Sequence, residues 1–318
     1  MENIVVSICI ATCNQERYLD ECLESVIGQI EEMSCEILIG DDMSEDATSE
    51  IAARWAARHP DVIRHFRHAP RLGPAANYQF IVARARGEFI AHLDGDDMWL
   101  PGKLAGQLAF MNANADCPAV YTNAIVVDDK GALRGLFNNP QPDRFDLAGI
   151  LKYGNFLNHS SLLYRRHFTS AVTDLSPPFI DYLMHLRLAK CGILGYMNRP
   201  GVLYRQQSST SMIVNANEHT RELYWQALTS MSDMRAVAKE LAAGKGDFLR
   251  RTFFRAARIR SPKMLIKWCR TVFADHPPHQ LTIVMSASVG IIKTAYAIAC
   301  ESVGLSISRN SSRVLYRR

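Results

Sequence analysis

The 318-residue chain has no CxxC pair, and its eight cysteines are scattered, several of them inside apolar runs. That spacing excludes a zinc ribbon or a dithiol redox motif and predicts buried thiols in a reducing compartment. Neither GxGxxG nor GxxxxGKS/T occurs, which argues against a dinucleotide-binding fold and a P-loop enzyme. No signal-peptide pattern opens the chain: Met1-Glu2-Asn3 leads straight into Ile4-Val5-Val6-Ser7-Ile8-Cys9-Ile10, which reads as a strand, so a cytoplasmic location is expected. Acidic residues run out towards the C-terminus. Residues 248–318 hold 13 Lys and Arg against Asp275 and Glu301 alone, a balance of +11, while residues 1–247 carry −7. A basic extension on an acidic body suits an anionic lipid surface; no nucleic-acid partner is expected, and a solvated helical extension is the plainer alternative.

What is present is organised around Glu88-Phe89-Ile90-Ala91-His92-Leu93-Asp94-Gly95-Asp96-Asp97-Met98-Trp99. A short apolar run bounded by turn residues reads as a central parallel strand. It ends in three carboxylates, at the position where open α/β sheets bind ligands. Asp94 and Asp96 are two apart and point the same way in an extended segment. Two acids so close repel each other, and a hard divalent cation that brings its own diphosphate ligands relieves the repulsion. A solvated acidic turn, with Asp97 as a helix N-cap, is the structural alternative.

Strand and helix patterns alternate around this stretch. Residues 4–10 read as a strand and 17–29 as an amphipathic helix. Residues 35–40 form a second strand ending in Asp41-Asp42, and Ser44 to Thr48 cap a helix that runs to about Arg58. A strand at 62–67, a helix at 74–86, a helix at 101–114 and a strand at 119–127 complete the series. Such alternation predicts right-handed crossovers and a parallel sheet. Three polar loops, Thr12 to Glu16, Asp41 to Thr48 and Asp94 to Asp97, then converge at the C-terminal strand ends.

These three loops resemble motifs of the family 2 glycosyltransferases, which have the GT-A fold of nucleotide-diphospho-sugar transferases. Val6 to Asn14 is similar to their opening strand, Leu38 to Thr48 to their second acidic motif, and Leu93 to Trp99 to their DxD motif. The resemblance covers roughly residues 3–210. It implies a Rossmann-like, mostly parallel sheet flanked by helices, with a helical C-terminal extension. It also implies a nucleotide-sugar half at 1–127, an acceptor half at 128–212 and an extension at 213–318. Thr12, Asn14 and Glu16 would line the nucleoside pocket. Asp42, with Asp41 beside it, would accept a hydrogen bond from the base, usually uracil, and Arg71 occupies a segment near the nucleotide. Asp94 would touch the ribose or sugar, and Asp96 would bind Mg²⁺ or Mn²⁺. Asp181 matches the catalytic base, although Ile180 replaces the usual Glu before it. His159 and Tyr182 would lie on the acceptor side, and Gln207 stands where His is common. The implied activity is inverting transfer from a nucleotide-diphospho-sugar, usually UDP-linked, to a sugar or lipid-linked hydroxyl in polysaccharide or glycoconjugate synthesis. A nucleotidyltransferase on a related sheet, a DxD phosphatase and a vestigial assembly scaffold are the rivals.

Beyond residue 127 the patterns are local. Asp128-Asp129-Lys130-Gly131 predicts a hairpin, residues 137–145 a loop, Asp146 to Tyr153 a short helix and Gly192 to Arg199 a strand. Asp181 after two prolines would serve as a helix N-cap if it has no chemical role. Residues 222–243 read as one helix, broken at Gly244-Lys245-Gly246. The stretch from Asp247 to Asp275 is a basic amphipathic segment interrupted at Pro262. Leu281 to Cys300 is twenty residues with only Lys293 charged. Three dispositions fit it: a membrane span, an interfacial helix, and packing on the protein or in a homodimer.

Overall fold

A computed structural model describes residues 4–31, 33–206, 218–274, 278–302 and 314–316. The chain divides into two compact units, Met1–Phe145 with Leu157–Leu223 and Arg313–Arg318, and Asp146–Phe156 with Tyr224–Ser312. The first unit opens as β1 (Val6–Thr12), α1 (Leu19–Ile27), β2 (Cys35–Asp41), α2 (Thr48–Arg58), β3 (Ile63–Arg67), α3 (Pro74–Val82) and β4 (Phe89–Asp94). Strands β3, β2, β1 and β4 lie side by side and parallel. Val6, Ile8 and Ile10 are wholly buried, as are Cys9 and Ser7 on the other face, as a strand covered on both sides requires. Helix α1 buries Leu19, Cys22, Leu23 and Val26, one face at helical spacing. Each fully buried aliphatic side chain contributes about 1.5–3 kcal/mol.

The register positions the site. Thr12 lies opposite Asp41, and Ala11 lies opposite Gly40 on one side and Asp94 on the other. The three polar loops therefore leave the sheet at one level. At the opposite end, Glu36 ties strands and turns together. Its buried carboxylate accepts from Ser7 Oγ (2.6 Å), Arg86 N (2.7 Å) and Arg64 Nη2 (2.7 Å).

Past β4 the sheet turns mixed. The chain continues as β5 (Met98–Trp99), α4 (Lys103–Ala113), β6 (Ala119–Val127), β7 (Leu133–Asn138) and β8 (Arg144–Phe145). In the second unit comes α5 (Leu147–Tyr153), and back in the first come β9 (Leu163–Arg165), α6 (Ser170–Thr173), α7 (Asp181–Cys191) and β10 (Leu194–Arg205). The short β9 inserts between β4 and β6, antiparallel to both, so β6 does not extend the parallel sheet directly. The run from Asn158 to Arg166, polar and then strand-like in sequence, contains β9, whose direction depends on where β4 and β6 lie. Residues 137–145 are not simply a loop. Asn123 and Asn138 exchange side-chain and backbone hydrogen bonds (2.8 and 3.0 Å), which lets β7 end in a buried Asn, and β8 pairs with β10. Asp181 is the first residue of α7, and Ile180 stands at the N-cap, so the capping expectation for Asp181 fails. Asp97 caps no helix either, because α4 begins after Gly102.

Helix α8 (Glu218–Thr229) leads into the second unit, where α9 (Ala238–Arg258), α10 (Pro262–Phe273) and α11 (Gln280–Ser302) follow; β11 (Val314–Tyr316) pairs with β7. Helix α9 runs unbroken through Gly244 and Gly246, against the break expected there. A Cβ at 244 would lie 2.2 Å from the Leu151 carbonyl oxygen, and one at 246 would lie 2.6 Å from that of Ile283. These glycines serve close helix approach, and packing outweighs their roughly 1 kcal/mol helix penalty each. Helix α11 presses Ile283 and Ala287 against α9, while Ser286 Oγ donates to the Ala243 carbonyl (2.9 Å). Its other side exposes Leu281, Val284, Met285, Val289, Ile292 and Tyr296. Gln207 and the Ser-rich run after it lie outside the described residues.

Candidate active site

The first two polar loops are laced together. Asn14 has a positive φ of 53°, which turns successive N–H groups towards the second loop. The N–H groups of Asn14, Gln15 and Glu16 donate to Ser44 Oγ (3.0 Å), Thr48 Oγ1 (2.7 Å) and Asp46 Oδ2 (3.2 Å). In return, Asn14 Oδ1 accepts from Glu45 N (2.8 Å) and Glu16 Oε2 from Ala47 N (2.9 Å). Asn14 and Glu16 thus hold the start of α2, while Thr12, almost fully buried, donates to Gln15 Oε1 (2.7 Å).

Asp41 and Asp42 face different ways. Asp41 is buried; its Oδ1 accepts from Ser44 N (2.9 Å) and its Oδ2 faces His65 Nε2 at 3.7 Å. Burial pushes this carboxyl up, but the contacts from His65 and Ser44 outweigh it and hold it at about 2. Asp42 spans the gap to the loop before α3, accepting from Leu72 N (2.6 Å) and Gly73 N (2.9 Å). Arg71 closes the same loop through the carbonyls of Asp42 (3.2 Å) and Met43 (3.0 Å).

The three carboxylates of the third loop have three environments. Asp97 is buried and accepts from Ser160 Oγ (2.5 Å) and Arg205 N (2.9 Å), which joins the loop to the turn before β9 and to the end of β10. Asp94 is 42% exposed and takes His92 Nε2 at 3.0 Å. Asp96 is pushed up to about 7, by burial first and the Asp94 charge second, against the pull of Arg205 and of a Gln15 hydrogen bond. A carboxyl raised by burial and by a neighbouring carboxylate is one that a cation relieves. Among the described residues no three His, Cys, Asp or Glu side chains form a protein-only metal cage. Asp96 therefore fits a cation that arrives with diphosphate oxygens, which needs few protein ligands. Gly95 lets the loops meet: a Cβ there would lie 2.5 Å from Gln15 Oε1 and 2.8 Å from Thr12 Oγ1.

Asp181 begins α7, and Tyr182 after it is fully buried. The Asp181 charge reaches both Tyr121 and His159. His159, partly buried, places Nδ1 3.3 Å from His185 Nε2. The sheet register accordingly brings Thr12, Asp41, Asp42, Asp94 and Asp96 to one edge. Gln15, His92, Ser160, His185 and Arg205 were not singled out as functional from the sequence. Arg205 stands two residues before Gln207, the position where the family resemblance expects His, and that is its one sequence signal. The others lie in local patterns that serve strand, turn or helix equally well.

Comparison with known proteins accords with this geometry. An uncharacterised protein of Mycobacterium tuberculosis is 31% identical over 207 residues, 64% of this chain and 59% of the relative. The putative glycosyltransferase EpsE of Bacillus subtilis is 32% identical over 162 residues, 50% of this chain and 56% of the relative. Abequosyltransferase RfbV of Salmonella typhimurium is 26% identical over 222 residues, 64% of this chain and 67% of the relative. The chain thus spans less than two thirds of the length of the mycobacterial and Bacillus relatives. Among solved structures, S. aureus TarS 1-349 in complex with UDP-GlcNAc has a TM-score of 0.53 at 17% identity, with 85% of this chain and 90% of that chain covered, a likeness of fold. The family model described as Glycosyl transferase family 2 matches residues 7–169, from β1 through β9 and across all three loops of the site, and on that match the chain belongs to this family.

Proposed function

We propose that the chain is an inverting, metal-dependent glycosyltransferase that moves a sugar from a nucleotide-diphospho-sugar to a hydroxyl acceptor in polysaccharide or glycoconjugate synthesis. The observation that carries this reading is the alignment of three polar loops at one level of the sheet, with Asp96 raised to about 7 among them. UDP is the first nucleotide to test, since the structural neighbour was solved with UDP-GlcNAc.

In this reading the edge lined by Thr12, Asn14, Glu16, Asp41, Asp42 and Arg71 receives the nucleoside, Asp94 contacts the ribose or sugar, and Asp96 holds Mg²⁺ or Mn²⁺. The bound cation supplies neutralisation of the departing diphosphate. Asp181 takes the proton of the acceptor hydroxyl, whose oxygen displaces the nucleoside diphosphate from the opposite face, so the anomeric configuration inverts. His159 and Tyr182 shape the acceptor side. The acceptor is a sugar or a lipid-linked sugar, met at the cytoplasmic face of a membrane. Support for the membrane comes from α11, whose exposed apolar stripe lies in a unit rich in Lys and Arg. Because α11 also packs on α9 through Ser286 and Ala287, a peripheral contact suits it better than a span.

Asp181→Asn tests the chemistry. It keeps the shape but accepts no proton, so UDP binding persists while turnover falls by roughly 10²–10⁴-fold, the size of a general-base contribution. Turnover within about threefold of the parent would place the base elsewhere.

A further inference from the structure

Three histidines from three separate elements meet behind Asp94. His92 comes from β4, His159 from the turn before β9 and His185 from α7. His92 and His185 are buried. The rings of His92 and His159 lie with centroids 4.0 Å apart and planes tilted by 36°, and Tyr78 meets the His92 ring edge-on at 4.4 Å. His159 Nδ1 lies 3.3 Å from His185 Nε2, and His92 Nε2 lies 3.0 Å from Asp94 Oδ1. The row thus begins at Asp94 and ends on α7, whose first residue is Asp181.

The contact between His159 and His185 requires neutral rings. A contact between two ring nitrogens is a hydrogen bond only if one of them carries a proton and the other does not. Burial, then the neighbouring rings, pushes His159 well below the ordinary imidazole value, and burial pushes His185 down to about 3. His92 Nδ1 is buried with no hydrogen-bond partner. An unpaired N–H there would cost more than an unpaired acceptor, so the proton belongs on Nε2, facing Asp94. Asp94, which takes this contact at 3.0 Å, is itself 42% exposed.

We propose that His92, His159 and His185 are positioning residues, a row of packed and hydrogen-bonded imidazoles that braces the donor-side Asp94 at one end and the turn of α7 carrying Asp181 at the other. The proposal rests on the roles given to Asp94 and Asp181 above. It makes the two halves of the cleft mechanically continuous through side chains, and it assigns different kinetic consequences to the two ends. Loosening His92 frees Asp94 and weakens donor binding. Loosening the His159–His185 link lets Asp181 drift and lowers turnover, leaving donor binding in place.

The test uses the full chain and exploits the two ring nitrogens. The amide nitrogen of Gln reaches as far along the side chain as Nε2, and that of Asn only as far as Nδ1. At position 92 the bonding atom is Nε2, so His92→Gln should keep the affinity for UDP with Mn²⁺ within about threefold by calorimetry, while His92→Asn should lose about tenfold. At position 159 the bonding atom is Nδ1, and the order reverses. His159→Gln should fall about tenfold below His159→Asn in kcat, with donor KM the same in both. Turnover is read as UDP release from the sugar nucleotide that most raises the parent's melting temperature. If His159→Gln does not fold, His185→Gln against His185→Asn reads the same link, with Gln as the retaining variant. A merely structural role would follow melting temperature and rank the two amides alike at both positions, and that result overturns the proposal. A parent chain that neither binds UDP with Mn²⁺ nor releases it from a sugar nucleotide overturns the functional reading instead.

Discussion

Asp96→Asn should make the metal-free protein more stable while removing its metal-dependent ligand binding. The carboxyl stands at about 7 in the fold against an ordinary 3.8. Between those values the native state holds a proton that the unfolded chain has lost. Stability of the parent therefore falls as pH rises through this window, and the full penalty is present above about pH 7. At about 1.4 kcal/mol per pH unit the displacement is worth about 4 kcal/mol. Asp96 is only partly buried, so solvent screening lowers this to about 2 kcal/mol. Asparagine has the same shape and no charge, and it escapes the penalty. Urea unfolding followed by tryptophan fluorescence should show the gap between variant and parent widening by about 2 kcal/mol from pH 4.5 to pH 8. Adding UDP with Mn²⁺ at about 100 times its Kd at pH 8 should stabilise the parent by about 2.7 kcal/mol and leave the variant unmoved. A gap that does not change with pH, or equal stabilisation of both proteins by UDP and Mn²⁺, would refute the reasoning.

The other tests separate site, scaffold and surface. Gly95→Ala forces the first and third loops apart, since the new Cβ would lie 2.9 Å from Cβ of the buried Thr12; affinity for UDP with Mn²⁺ should drop at least tenfold by calorimetry, and a loss under threefold would show that the loops need not touch. Glu36→Gln acts at the far end of the sheet, where the carboxylate holds Ser7, Arg64 and Arg86; it should cost about 2–3 kcal/mol in urea unfolding with kcat unchanged. Burial pushes the Glu36 carboxyl up, but its hydrogen bonds prevail and hold it below 4.5, so its contribution is present above that pH and lost on acidification, and the variant should lack that part of the acid limb. In vesicle flotation the full chain should bind anionic vesicles, weaken as salt rises, and ignore neutral ones, and a chain ending at Lys245 should not bind; absence of any lipid preference would end the membrane reading.

The sequence by itself was enough for the elements whose pattern is local. Apolar runs that stop at Thr12, Asp41 and Asp94 mark the parallel strands, because burial on both faces leaves an uninterrupted hydrophobic signature next to polar loops. The family resemblance rested on the same three stretches. Tertiary structure alone decided how distant polar groups pair. Nothing near Leu163 announces that β9 will insert antiparallel between β4 and β6, since its direction depends on where β4 and β6 already lie. Gly244 and Gly246 read as a helix break because glycine has low helix propensity; in the fold the Leu151 and Ile283 carbonyls come so close that only glycine fits. Asp94, Asp96 and Asp97 are one acidic cluster in sequence and three chemically different groups in space. Ser160 and Arg205 take Asp97, His92 takes Asp94, and Asp96 keeps a carboxyl raised by burial and by its neighbour. Periodicity reports whether a side chain faces the core, which its own segment determines. It carries no information about which partner from another segment will meet that side chain there, and the chemistry of this site depends on those partners.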